Sequence, residues 1–247
     1  MLYVLRQWKE GQIAGIVHHA RRQQLPYEIV EAFDVQHWPE LKPGDALIGL
    51  GGPPSVCNMR QPDYEHTFLL EEELFLAEAR RNGIPLLGLC LSHQLLACME
   101  GQPVGTGRQV FGIEPVELTR AGQRHWLFEG MPSRFYMYQN HSDYVLSIAS
   151  TARLLGCSAT CTAEAVAWDD RTVSTQFHPE VLLGQMPMCM ARCRQSLAAT
   201  GLTMEQMLAR VPADYESYTE RMFDNFFYRA GLITRPDWQP AIYAVAA

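Results

Sequence analysis

Residues 83–97 read GIPLLGLCLSHQLLA, an apolar run that passes directly into a helical pattern with a cysteine at the junction. Strand, Cys90, helix is the layout of a nucleophile elbow, a turn so sharp that small residues are wanted on both sides of the reactive one. Gly88 and Ser92 meet that need. At a helix N-terminus the unpaired amides and the dipole favour a thiolate. A cysteine in an apolar stretch is also commonly a small buried hydrophobe, so the turn must be judged with the rest of the chain.

The first 95 residues alternate short β-like runs with longer helical ones, the pattern of a parallel sheet flanked by helices. LYVLRQ, YEIVEAF and DALIGLGG read as strands, and GQIAGIVHHARRQQL and YEHTFLLEEELFLAEARRNG as helices. In the second helix Phe68, Leu69, Leu74, Phe75 and Ala79 make the apolar face, LLEEEL is a solvated face, and Gly83 follows as a stop. From about residue 103 the texture becomes β-rich (FGIEPVELT, SRFYMYQNH, ARLLGCSA, AEAVAWDD, TVSTQFHPE), which reads as antiparallel additions to the sheet. Near the end, Tyr215, Tyr218, Met222, Phe223, Phe226, Phe227 and Ala230 recur at spacings of three and four, so a final helix buries one face.

Two further segments bear on Cys90. In STQFHPEV, His178 and Glu180 follow a β-like run with Pro179 between them. A nucleophilic thiol needs a base to take and return a proton, and that base needs a carboxylate to orient it. The loop GLGGPPSV after the third strand falls on the same sheet edge as the cysteine turn, where α/β proteins bind ligands. Backbone amides there could stabilise an oxyanion, and Gly52 lets the chain come close.

Taken together, GLGGPPSV, GLCLSHQ and QFHPEV resemble the motifs of the class I glutamine amidotransferases, in their order and at their separations, across roughly residues 1–183 and the closing helix. The resemblance implies a flavodoxin-like α/β fold, three-layered, with a mixed, mainly parallel sheet. It implies that Cys90 attacks the side-chain amide of L-glutamine, that His178 protonates the departing ammonia, and that Glu180 orients His178. Gly52 and Leu91 would supply the oxyanion hole. Gln94 matches the position that contacts glutamine, and YQNHSDY matches the loop that holds its α-amino and carboxylate groups, pointing to Asn140, His141, Ser142 and Asp143. This chemistry requires no cofactor and no metal. Ser92 stands where the family usually has glycine, and the stretch after Glu180 is longer than the family domain needs. Residues 185–218 read as an added helical excursion of a single domain spanning 1–247, capping the site, docking a partner or covering surface.

Three functions fit these residues. The first is a free-standing glutaminase that supplies ammonia to a separate synthetase, since Lys9 and Lys42 lie in no P-loop and no S-G-G-x-D-S nucleotide loop is present. The second is a hydrolase of other γ-glutamyl amides or peptides. The third is a non-catalytic binding protein on the same fold, which the intact Cys90, His178 and Glu180 disfavour. A formal charge of -7 argues against nucleic acid as a partner. No apolar run reaches the roughly 20 residues that cross a bilayer, and MLYVLRQWKEG lacks a signal-peptide core, so a cytoplasmic location is expected. Seven cysteines without a framework pattern fit reduced thiols, and the lack of a signal-peptide core outweighs the NHS glycosylation triplet at Asn140, a match short enough to arise by chance. Cys189 with Cys193 and Cys157 with Cys161 lack a histidine at ligand spacing, and His18 and His19 should point apart on a solvated surface.

Overall fold

Alternating apolar and amphipathic segments build the first half of the molecule. Strand β1 (Leu2–Arg6) leads to helix α1 (Ala14–Arg22) and strand β2 (Tyr27–Glu31), β3 (Ala46–Gly49) to α2 (Phe68–Arg81), and β4 (Leu86–Leu89) to α3 (Leu91–Met99). The computed structural model describes residues 1–235; residues 236–247 of the expected domain lie outside the described residues. After α3 come β5 (Val104–Leu118), β6 (Arg134–Val145), β7 (Arg153–Cys157), β8 (Ala165–Ala167) and β9 (Thr172–Thr175). Helices α4 (Met186–Arg192), α5 (Arg194–Ala199), α6 (Met204–Leu208) and α7 (Tyr215–Arg229) follow. The fold is flavodoxin-like, with a sheet order of β2-β1-β3-β4-β9-β8-β7-β5-β6.

Strands β2, β1, β3, β4 and β9 run parallel. The remaining strands are antiparallel. The expectation that every later strand adds antiparallel is therefore corrected at β9. It returns from the β7–β8 meander antiparallel to β8 yet aligned with β4, pairing Leu86 with Thr172 through Leu89 with Thr175. A four-residue apolar run carries no signal of its neighbour's direction.

Side-chain alternation separates two core layers. Val4, Ile48, Leu87 and Leu89 face the layer that holds α1 and α7, while Leu5, Leu47 and Leu86 face α2 and α3. The expected face of α7 is buried, with Tyr215, Met222, Phe223, Phe226 and Phe227 at most 1% exposed. Each such side chain contributes roughly 1.5–3 kcal/mol on burial. Surface pairs along a helix contribute roughly 0.2–0.5 kcal/mol, so the aromatic stripe decides how α7 docks. Tyr215 Oη donates to Val181 O at 2.8 Å, which fixes the chain just beyond Glu180.

Three local expectations change. On α2 the buried positions are Leu69, Glu72, Phe75, Leu76 and Ala79, whereas Leu74 is 72% exposed. LLEEEL is thus not wholly solvated, because Glu72 falls on the stripe 69, 72, 76, 79. His19 is buried with its ring stacked on Phe223 at 4.8 Å, because α1 packs against α7; only His18 is exposed. YQNHSDY is not a loop but the second half of β6, paired with β5 around an irregularity between Thr106 and Val110.

Candidate active site

The parallel strands end at one edge, and the segments that leave β1, β3, β4 and β9 there contribute to the site. Beyond β1 comes Gln7, beyond β3 the Leu50–Gly52 turn, beyond β4 Cys90, and beyond β9 the Gln176–Glu180 segment. Order 2-1-3-4 reverses between β1 and β3, so the edge also carries the crevice that such sheets use for ligands.

Cys90 has φ 51° and ψ -99°. A non-glycine residue held there costs roughly 1–3 kcal/mol and persists where the surroundings over-determine it. Several contacts do so. The Cys90 amide donates to Thr175 O at 2.8 Å, and Ser92 N donates to Leu50 O at 3.2 Å. Gly88 is required because a Cβ there would lie 2.7 Å from Leu96 Cδ1 and 3.1 Å from Ser92 O.

Ser92 is accommodated without opening the turn. Its Oγ accepts from Gln7 Nε2 at 2.7 Å, and the same amide donates to Glu72 Oε1 at 2.6 Å. Gly49 makes the space, since a Cβ there would sit 2.3 Å from Ser92 Oγ. Burial raises the Glu72 pKa to about 7 against the opposing hydrogen bonds from Gln7 and Ser92.

His178 is anchored by its amide to Tyr138 O at 2.9 Å, and its Nδ1 meets Glu180 Oε1 at 2.7 Å. Burial disfavours its charge, but attraction to Glu180 and Cys90 overrides burial and holds its pKa well above the ordinary value. Nε2 is left without a well-formed hydrogen bond. Gly51 is the point where thiol and imidazole converge. A Cβ at Gly51 would lie 2.9 Å from His178 Cε1, 3.0 Å from Cys90 Cβ and 3.6 Å from its Sγ. Glu180 is positioned by α1, where a Cβ on Gly15 would be 1.9 Å from Glu180 O.

These groups open into a cavity of about 650 Å³. Of the residues singled out from sequence, Gly52, Cys90, Gln94, Asn140, His141, Ser142, Asp143, His178 and Glu180 line it. Leu91 is the buried first residue of α3, directly after Cys90. Gln94 Nε2 donates to Asp143 O at 3.0 Å and to Gln176 Oε1 at 3.3 Å. Thr106 Oγ1 and Ser55 Oγ both donate to the Asp143 carboxylate, joining β5 to the loop after β3. Burial first, and then the nearby His178 charge, lower the His141 pKa to about 4 against its hydrogen bond to Asp143 O.

Sequence reasoning missed several neighbours. Gln176 Nε2 lies 3.5 Å from Cys90 Sγ, and its spacing of two from His178 was the available signal. Gly51 was overlooked beside Gly52. Trp8, Tyr138, Cys189, Arg192 and Cys193 also line the cavity, so the helical stretch after Glu180 forms one of its walls. There Asn140 Nδ2 donates to Cys193 Sγ at 3.4 Å. Cys57, which follows the loop after β3, is exposed with its Sγ 3.8 Å from Asp143 Oδ2. Among the described residues one group could bring three metal ligands together, His18, His19 and Glu220, whose ligand atoms lie within 4.8 Å of one another. The two histidines thus do not diverge as expected, and none of the three lines the cavity.

Comparison with known proteins agrees with this geometry. Residues 10–193 match the family model described as glutamine amidotransferase class-I. The chain is 28% identical over 181 residues to a glutamine-hydrolyzing GMP synthase subunit from Pyrococcus furiosus, covering 72% of this chain and 84% of that one. The protein of the same name from Archaeoglobus fulgidus is 29% identical over 185 residues, covering 74% and 91%. Among solved structures, a glutamine amidotransferase from Thermotoga maritima superposes with a TM-score of 0.79 at 19% identity, over 93% of this chain and 96% of that one. One from Methylobacillus flagellatus gives 0.77 at 16% identity, over 96% and 97%. An α/β sheet with a strained cysteine turn beside a His–Glu pair defines a cysteine-nucleophile hydrolase class. Within it, the chain belongs to the class I glutamine amidotransferases.

Proposed function

We propose that Cys90, His178 and Glu180 release ammonia from L-glutamine through a γ-glutamyl thioester on Cys90. The observation that carries this reading is the convergence at Gly51, where the strained Cys90 and the Glu180-anchored His178 meet over one bare backbone position. The Cys90 sulfur bonds the γ-carbon while the amides of Gly52 and Leu91 receive the developing oxyanion. One such donor accounts for about 2.7–4 kcal/mol of barrier lowering in comparable sites. His178 gives its proton to the nitrogen as the C–N bond breaks, then takes one from the water that cleaves the thioester. Gln176 steadies the sulfur, and Gln94, Asn140, His141, Ser142 and Asp143 hold the amino-acid end.

Both archaeal relatives compared above are, by name, one subunit of a GMP synthase, which supports an acceptor synthetase carried on a separate chain. Cytoplasmic work alongside it is consistent with the helices, since among the described residues none is long and apolar enough to cross a membrane. Release of ammonia and glutamate from glutamine tests the reading. Wild-type turnover that disappears in Cys90→Ala is expected. Equal turnover in the variant would overturn the assignment.

A further inference from the structure

Helices α1 and α7 bring together a group of metal-binding side chains that the Cys90 chemistry does not use. Neighbouring residues on a helix point about 100° apart, yet the rings of His18 and His19 meet edge to face with centroids 5.3 Å apart. Glu220 reaches them from α7, so that one ligand atom from each of the three residues lies within 4.8 Å of the others. The two helices run side by side here in a definite register. His19 stacks on Phe223, three residues after Glu220, and one turn further along α1 both Arg22 Nη2 and Gln23 Nε2 donate to Asp224 Oδ1, at 2.6 and 2.8 Å. That register sets Glu220 against the histidine pair.

The polar atoms of this group are left over from folding. His19 is fully buried, and neither of its ring nitrogens has a hydrogen bond. A buried polar atom without a partner is costly, and native interiors rarely keep one. Among the described residues the Glu220 carboxylate forms no ion pair, and neither does His18. Arg22, the guanidinium one turn on from His18, is already paired with Asp224. His18 is exposed and Glu220 half-buried, so an ion can enter from solvent and rest against the dry side formed by His19.

Two imidazoles and a carboxylate, with water completing the shell, are a donor set for zinc and its neighbours, whereas magnesium and calcium take oxygen ligands. Zinc bonds of about 2.0–2.2 Å in a tetrahedral shell put ligand atoms roughly 3.4 Å apart. His18 and Glu220 therefore have to close in on His19, whose ring is stacked on Phe223. We propose that His18, His19 and Glu220 bind a zinc-class divalent cation that clips α7 to α1. The ion is structural, since none of its ligands lines the catalytic cavity. It ties together the two helices that hold the chain beyond His178, α1 through Gly15 packed on Glu180 O and α7 through Tyr215 bonded to Val181 O.

Zinc titration of the full chain, stripped of metal beforehand with a chelator, tests the clip beside His18→Gln and Glu220→Gln. Both side chains are open to solvent at least in part, and the comparison reads only the change that zinc causes, so differences in metal-free stability drop out. Zinc taken up by the cysteines is common to all three proteins and cancels. In competition with a chromogenic chelator, wild type is expected to hold one equivalent at least tenfold more tightly than either variant. Saturating zinc should raise its melting temperature by at least about 3 °C more than theirs. Magnesium should do neither. Equal uptake and equal melting shifts in the three proteins overturn the proposal. Loss confined to one variant, tighter uptake without the melting shift, or a magnesium response equal to that of zinc overturns it as well.

Discussion

On the proposed mechanism Glu180 acts through His178, whose Nδ1 it meets at 2.7 Å. Burial works against an imidazolium at His178, and with the carboxylate gone its pKa should fall from well above the ordinary value. Glu180→Gln is therefore expected to lower kcat by about 10²–10⁴-fold, the range for a disabled acid–base group. The variant's pH–rate profile should also move, which loss of packing alone would not produce. Gly51→Ala puts a methyl 2.9 Å from His178 Cε1 and 3.0 Å from Cys90 Cβ, so activity should fall at least tenfold with little change in melting temperature. The elbow and the His-Pro-Glu segment were legible in sequence because turn and motif lie within a few residues. Gly51 was not, since two adjacent glycines give no sign of which one faces the thiol.

At the scale of elements, α2 places Glu72 in the core behind the elbow. Its pKa of about 7 exceeds the ordinary 4.5, so between those values the folded chain binds the proton that the unfolded chain releases. The contribution of Glu72 to stability is therefore full below about pH 4.5, and on the order of 3 kcal/mol of it is lost as pH rises through 7. Glu72→Gln should flatten that slope in denaturant titrations from pH 5 to 8, and an unchanged slope would contradict it. Helix α1 acts on the other side. Gly15→Ala would drive a methyl to 1.9 Å from Glu180 O, so the variant should lose activity along with stability. Neither role was legible: LLEEEL has the composition of a solvated face, and a glycine inside a helix gives no hint of the carbonyl packed on it. The antiparallel reading of β9 holds towards β8 but not towards β4, because pairing direction is set by the chain's route and not by a strand's own residues.

Across the whole molecule, burial is the first cause that lowers the pKa of His19 and His93 to about 3 and of His125 and His141 to about 4. Each is neutral when folded and takes up a proton near pH 6.5 when unfolded, so stability falls as pH drops from 6.5 towards 3. His19→Leu should ease that acid limb, since both His19 nitrogens are buried without partners and the ring stacks on Phe223. Acid titration of the melting temperature checks it. The parallel layers and the amphipathic α7 were readable from periodicity, whereas the wall that α4 adds to the cavity depends on tertiary packing that no short pattern encodes. All these features converge on one sulfur. The direct test is covalent labelling with a glutamine-like electrophile, such as a diazoketone analogue of glutamine, followed by peptide mass analysis. A single adduct on Cys90 that excess glutamine suppresses is the predicted result. Adducts on Cys189 or Cys193 with Cys90 unmodified would contradict the account.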